Sequence, residues 1–489
     1  MSTIYSDYAR ARIGWFFGLS GWQLATLAIT AIPVVGAISA RQWTLFLALA
    51  VAWVLLAVLV AVPVQGRSAT GWLAASVLFA VGTLGRWTSF RSRASQGQVV
   101  DLSEPDLPGV LAGIAVHDGP PCGASLRRVA IIQDHAHRTW AVTAAIVHHG
   151  LATADVDQRR AHGHGLTELL DACSRSELVD ELILVVRTVP DDGAERQQWI
   201  ARHRRPDSPD LVRAINDQLN TSLTQASVRT EQFVTVVVAE ARLARSAREV
   251  GGGLEGRARA LHLVMAEVEA HLRAGVGAST VAWLTTQELA VAVRTGFAPT
   301  DRASIIDALA ASELDPGVNA EVPWAMAGPS GADLVARHYS HDAWNSVSAT
   351  IKLPTKGAVM GALAPVLTPT EPAERRSMMV CYPIVPHGQA DRQSATSEWA
   401  ADMGQGLRER AGVKLRERER ADLAKVRNLE VKLARGNSLT TPYAICTVTV
   451  PKTQRIAEAA RRLDASVRGA GFAPLRLDLV QDAAFTAAT

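Results

Sequence analysis

Six histidines, His135, His137, His148, His149, His162 and His164, crowd into residues 135–164. Imidazoles gathered in this way can hold a transition metal, but the chemistry needs spacing that converges them. A helical metal pair sits at i and i+4, and no two of these histidines do. The cysteines, Cys122, Cys173, Cys381 and Cys446, show no CxxC spacing, so neither a zinc site nor a disulfide framework is indicated. Their scatter fits a reducing compartment, and Cys446, inside a strand-like run, reads as a buried inert thiol. Gly251-Gly252-Gly253 lacks the GxxxxGK[ST] string that cradles phosphate, and Gly328-Pro329-Ser330-Gly331 misses the GxSxG nucleophile pattern by one residue. Arg202-His203-Arg204-Arg205-Pro206 is basic, yet aromatic interleaving is sparse and the formal charge of the whole chain is only +3. No catalytic, cofactor-binding or metal-ligating residue is assigned, no cofactor is implied, and direct nucleic-acid binding is not expected.

The elements that would have to position any such residues begin with apolar runs. Trp22 to Ala40 and Trp43 to Val64 carry no charge, and each approaches the roughly 20 residues a helix needs to cross about 30 Å of hydrocarbon. Pro33 removes one backbone hydrogen bond in the first run, which membrane helices tolerate. The stretch 69–93, ATGWLAASVLFAVGTLGRWTSFRSR, is weaker, because hydroxyls and glycines interrupt it. Positive charge decides the count. With two crossings and both termini inside, Arg10, Arg12, Arg67, Arg86, Arg91 and Arg93 stay cytoplasmic and only Arg41 faces out. Residues 68–88 are then an apolar helix lying along the inner surface or packed on a partner, with a third crossing by this stretch as the alternative.

Past Phe90 the chain turns soluble in character. LRRVAIIQDHAHRTWAVTAAIVHHG reads as a hairpin about Asp134 to His137. Beyond it, helices at Asp155 to Ser174, Pro209 to Ser227 and Glu255 to Ala274 alternate with the strands DELILVVRTVP and EQFVTVVVAEAR. After Thr300 come a strand in SVSATIKLP, a short helix in AVMGALAPVL, a strand in RRSMMVCYPIVP, and a long charged helix from about Arg392 to Arg435. On that helix Leu415, Leu423, Val426, Leu429 and Leu433 form one stripe among paired Arg and Glu. The chain ends strand (Ala444 to Val450), helix (Gln454 to Ala470), strand (Pro474 to Val480), a β-α-β half of a ferredoxin-like unit.

This ending, with the charged helix before it, resembles the end of the N-terminal domain of the VirB-type conjugation ATPases, whose motor domain has no counterpart here. YSDYARARIGWFFGLSGWQ, the two spans and Thr88 to Ser92 resemble actinobacterial membrane proteins found with conjugation-like secretion components, in which a PrgI-type membrane subunit is fused to the ATPase's accessory domain. His137 to Ile146 and His341 to Ile351 sit where that family carries comparable strands.

The resemblance implies a membrane-anchored α/β (α+β) protein: two N-terminal transmembrane helices, then a cytoplasmic body of ferredoxin-like β-α-β units. The expected division is residues 1–67 for the two-span hairpin, 68–100 for an interfacial helix and linker, 101–300 for a first cytoplasmic subdomain, and 301–489 for a second. It implies a non-enzymatic structural part of a conjugation-type (type IV) secretion machine in the inner membrane, with both termini cytoplasmic. Its partners would be a separately encoded motor ATPase, other membrane subunits, membrane lipid and further copies of the chain. Two alternatives stand beside it: a type VII (ESX) membrane subunit of the EccE type, and a membrane-tethered enzyme built on the histidines or acidic residues.

Overall fold

The structure is a computed structural model that describes residues 4–5, 21–61, 63–64, 67–123, 126–151, 154–205, 207–352, 357–385, 431 and 437–489. The charged helix expected over 392–435 therefore lies almost wholly outside the described residues. The chain folds as two units. One comprises residues 5–85 and 385–439; the other is built from residues 86–384 and 440–489, with the first few residues added.

In the first unit, α1 (Gly21–Ser39) and α2 (Trp43–Ala61) form a helical hairpin. A two-strand turn, β1 (Pro63–Val64) against β2 (Arg67–Ser68), leads into α3 (Ala69–Leu84).

The second unit is mixed α/β around a 14-stranded sheet. Its strands are β3 (Ser89–Arg91), β4 (Ile114–Cys122), β5 (Arg127–Asp134), β6 (Thr139–Val147), β7 (Val179–Pro190), β8 (Val228–Ala239) and β9 (Thr280–Trp283). There follow β10 (Gly331–Val335), β11 (His338–His341), β12 (Trp344–Lys352), β13 (Arg375–Val385), a two-residue strand Leu439–Thr440 beside β13, β14 (Tyr443–Pro451) and β15 (Ala473–Arg476). The order along the sheet is β3-β10-β11-β12-β14-β13-β7-β8-β6-β5-β4, with β9 also on β6 and β15 also on β12. The ladders between these strands are antiparallel, so the expected subdomains 101–300 and 301–489 share one continuous sheet.

That sheet is internally duplicated. In the first half β6 pairs with β8 and β9, and β8 pairs with β7. In the second, β12 pairs with β14 and β15, and β14 pairs with β13. The match reaches single atoms. Thr143 Oγ1 meets Thr235 Oγ1 at 2.9 Å across β6 and β8, and Ser348 Oγ meets Thr447 Oγ1 at 2.7 Å across β12 and β14. Just after the last strand of each half, Leu284 N donates to Thr143 O (2.9 Å) and Leu477 N to Ser348 O (3.2 Å). The halves meet where β7 pairs with β13, from Glu181 opposite Pro383 to Thr188 opposite Arg376. A pseudo-two-fold axis passes near Val185 and Met379, which face each other in that ladder. Within each half the outer short strand lies parallel to β8 or β14 with one antiparallel strand between, a split β-α-β crossing.

Helices cover both faces, because side chains alternate across a strand. On one face α4 (Val156–Ser176), α7 (Glu240–Glu249) and α8 (Gly253–His271) bury Leu169, Leu243 and Leu261 against Trp140, Val142, Val234, Val236 and Leu182. In the second half that face carries α12 (Ala364–Leu367) and α13 (Ile456–Gly469), with Ala459, Ala460, Leu463 and Val467 on Val347, Val448 and Val450. The other face carries α9 (Thr286–Phe297) and α14 (Gln481–Ala488). Outside these layers lie α5 (Ala194–His203), α6 (Asp210–Ala226), α10 (Asp301–Leu314) and α11 (Trp324–Ala327).

Local chemistry sets the helix starts. Asp155 and Gln158 form a reciprocal capping box on α4, and Thr285 and Glu288 form one on α9, each satisfying backbone donors that the first turn leaves open. At the carboxyl end the expected strand Pro474 to Val480 stops at Arg476. Leu479 takes φ +70°, and Gln481 opens α14 instead. Gln481 explains the switch: its amide accepts from Ser348 N (2.7 Å) and donates to Ser348 O (3.1 Å), pinning the start of α14 onto β12.

Candidate membrane anchor and buried charge network

The helical hairpin has a largely apolar exterior. Contact between α1 and α2 buries Ala37 and Val60, and Trp53 Nε1 in α2 donates to Leu27 O of α1 at 3.1 Å. Thr30 Oγ1 returns its proton to Thr26 O (2.7 Å), which hides a hydroxyl that would otherwise lie bare in hydrocarbon. Many of the large apolar side chains are exposed: Ile29, Ile32, Val35, Leu47, Val51, Val54, Leu55 and Val58 all turn outward. Water would be a costly environment for such a surface. Among the described residues, α2 alone is long and apolar enough to cross a membrane, over Trp43–Val60. Ala25–Ser39 and Gly71–Leu84 are shorter apolar helices. α3 exposes Leu73, Val77, Leu78, Val81 and Leu84; its 16 residues span about 24 Å, short of about 30 Å of hydrocarbon.

In the sheet unit the notable chemistry is buried charge at the seam between the halves. Arg187 of β7 and Arg375 of β13 lie on the face that α9 covers, each 1% exposed. Arg187 Nε stands 3.1 Å from Glu231 Oε2, its Nη1 donates to Ala292 O (3.0 Å), and its guanidinium lies 4.7 Å above the Phe233 ring. Arg375 Nη1 donates to Thr295 O (3.1 Å) and Gly296 O (2.5 Å). Burial and then the Arg187 charge push Arg375 down to about 9, still protonated at neutral pH. Both arginines thus grip the carbonyls near the end of α9, where the helix dipole is negative.

On the opposite face Arg376 is fully buried with Glu374, whose carboxylate accepts a hydrogen bond from Arg376 Nε and also meets Arg462 Nε at 3.3 Å. Arg376 Nη1 reaches Val366 O and Ser466 Oγ, both at 3.2 Å. One carboxylate therefore holds two guanidiniums and joins β13, α12 and α13.

A third buried polar group is His341. Its ring packs 4.3 Å from Phe485 and 5.5 Å from Tyr339 between centroids. Nε2 meets Ser346 Oγ at 2.8 Å, and Ser346 in turn meets Thr449 Oγ1 at 2.8 Å. Burial first, then the Arg375 charge, hold His341 well below the usual imidazole range, so it is neutral in the folded protein.

The residues singled out in the sequence are dispersed. His135 and His137 lie exposed at the β5–β6 turn, His137 paired with Asp134 at 2.7 Å. The rings of His148 and His162 meet edge-on at 5.1 Å, while His164 pairs with Glu168 at 3.5 Å. Among the described residues no three His, Cys, Asp or Glu side chains stand together as metal ligands. Gly251, Gly252 and Gly253 all take positive φ in the turn joining α7 to α8. Ser330 N is held by Asp342 Oδ1 (2.8 Å), and Ser330 O accepts from Ser92 N (3.0 Å). Arg202 pairs with Glu313 (2.8 Å) and Arg204 with Asp217 (3.1 Å). Burial pushes the thiols of Cys173, Cys381 and Cys446 up to about 12, where they are inert. Sequence reading missed Arg187, Glu374, Arg375, Arg376 and His341. The available signal was arginine inside otherwise apolar strand runs, in LVVRTV and ERRSMMV.

No family model matches the chain, and no curated protein matches it.

Proposed function

We propose that this chain is a structural inner-membrane subunit of a conjugation-type secretion machine, anchoring or docking a separately encoded motor ATPase on its α/β body. α1 and α2 cross the membrane as a hairpin with both ends cytoplasmic, and the two split β-α-β crossings are ferredoxin-like units that form the docking body. The observation that carries this reading is the outward-facing apolar surface of α1 and α2 in a chain whose other unit packs helices on both faces of its sheet. A hairpin of that kind gives a large polar body a fixed place beside a bilayer. The rigid grip on α9 and the Glu374 network also suit a body that transmits force rather than one that reshapes around a small ligand.

Two measurements test this. Alkaline carbonate extraction should leave the chain in the membrane pellet. Affinity purification in mild detergent from the native host should retain a Walker-type ATPase. Release by carbonate, or no ATPase retained across low and moderate salt, would refute the anchoring and docking halves respectively.

A further inference from the structure

Most surface helices of the sheet unit turn apolar side chains inward. α6 does the reverse. Leu211, Ile215, Leu219 and Leu223 are 71, 55, 53 and 43% exposed, with Val212 beside them at 44%. Asn220 and Thr224 are the half-buried positions on the opposite side, about 140 to 180° round the helix from Ile215. They turn toward the body, where Arg196 Nη2 reaches Thr224 Oγ1 at 3.3 Å. The charges of α6 also lie away from the stripe: Asp210 pairs with Arg213, and Asp217 with Arg204. Gln218 and Ser222, beside the stripe, are uncharged. These charged residues are themselves exposed but lie on another side of the helix, so the apolar stripe stands uncovered and unbroken by charge.

We propose that this outward face of α6 is a contact between copies of this chain. Three features favour a second copy. Residues recurring every fourth position form a single i±4 ridge, and such ridges interdigitate with their own kind, crossing at about −50°. A two-fold contact needs a self-complementary patch, and an uncharged apolar ridge opposed to itself brings no like charges together. The patch is also small. One helix face falls short of the roughly 800 Å² per partner typical of stable soluble complexes, so the contact needs the high local concentration that anchoring in a common membrane supplies. In that respect it rests on the membrane reading. A bilayer is the poorer fit, since the stripe itself carries none of the Lys or Arg that holds interfacial helices to anionic lipid, and Arg213, on the far side, is paired with Asp210.

The test is cysteine cross-linking in native membranes, in a Cys122→Ser background because Cys122 is the one native thiol that is not fully buried. Ile215→Cys or Leu219→Cys should give a disulfide-linked homodimer under mild oxidation, several-fold more than Asp217→Cys on the far side of the helix. Ile215→Glu with Leu219→Glu should lower the oligomer mass in detergent while leaving the thermal midpoint unchanged. Four results would overturn the proposal: no homodimer from either ridge cysteine, cross-linking to another protein instead, unchanged oligomer mass in the double variant, or a lowered midpoint, which would mean that the chain covers the ridge itself. Carbonate extraction of the same samples reads the anchoring separately. A chain found in the soluble fraction would sink that reading, whereas cross-linking of concentrated protein would still report on the ridge.

Discussion

Glu374 is the weakest point in the stability of the body, because among the described residues it is the one carboxylate that Arg376 and Arg462 share. Replacing it by Gln keeps the shape and removes the charge. Arg376, fully buried, is then left with Val366 O and Ser466 Oγ alone. Breaking one side of a buried pair in this way costs about 3 to 5 kcal/mol, since an uncompensated charge stays in a low-dielectric site. Removing both partners is a different perturbation. The pseudo-two-fold axis superimposes Arg376 on Leu182, a buried leucine of β7, so the first half already shows that a sheet position of this kind accepts an apolar residue. Glu374→Leu with Arg376→Met should therefore recover most of the loss. The assay is urea unfolding of the full chain in mild detergent, followed by tryptophan fluorescence. A Glu374→Gln midpoint equal to wild type, or a double variant weaker than the single, would refute the argument and show that water reaches the network.

Other expectations follow from the same coordinates. His341 is neutral when folded and its pKa lies below the unfolded value, so the unfolded chain binds the extra proton. Stability should thus be intact above about pH 6.5 and fall by up to about 1.4 kcal/mol per pH unit as pH drops below it. His341→Gln should flatten that part of a stability profile measured from pH 7.5 to 5, and an unchanged slope would count against the assignment. Gly165→Ala would set a methyl 2.1 Å from Gly275 O, backbone against backbone where α4 crosses the turn at Leu272–Val276, and should cost at least about 1 to 3 kcal/mol by thermal unfolding. Val54→Arg, on the exposed side of α2, should cut membrane integration by about 2.5 to 3.5 kcal/mol on a translocon scale, read from glycosylation reporters. Single cysteines across 69–84 should resist a membrane-impermeant thiol reagent added to intact cells, as should cysteines in the body; labelling of body cysteines from outside would reverse the topology.

Much of the sheet was legible because it follows local rules. The β5–β6 hairpin, β7, β8 and β14 show as alternating or continuous β-branched runs, and α4 shows as a helical pattern from Asp155 to Ser174. Properties that depend on distant partners did not show. The duplication leaves only traces such as TAAI at 143–146 beside SATI at 348–351, and VTVVV at 234–238 beside CTVTV at 446–450. Strings so short carry no weight until the ladders align them. The expected strand Pro474 to Val480 runs past Arg476 because the cue that ends β15, Gln481 clasping Ser348, lies across the sheet. RRSMMVCYPIVP reads as a strand, but nothing local says that the carbonyls of α9 and the carboxylate of Glu374 will receive Arg375 and Arg376. α6 was found as a helix with nearly its observed ends, but which side of it meets the body is decided by Arg196 and Thr224.

The ladder between β7 and β13 also sets a schedule. β7 is complete at Pro190, and the strand that pairs with it does not begin until Arg375. At ribosomal speeds of about 5 to 20 residues per second, the open hydrogen-bonding rim of the first half goes unmet for roughly 10 to 40 seconds. A nascent chain with two similar halves could meanwhile capture the β13 of a neighbouring chain on the same polysome, so biogenesis of this protein favours early separation of ribosomes or a chaperone that shields Leu182 to Thr188 until the second half arrives.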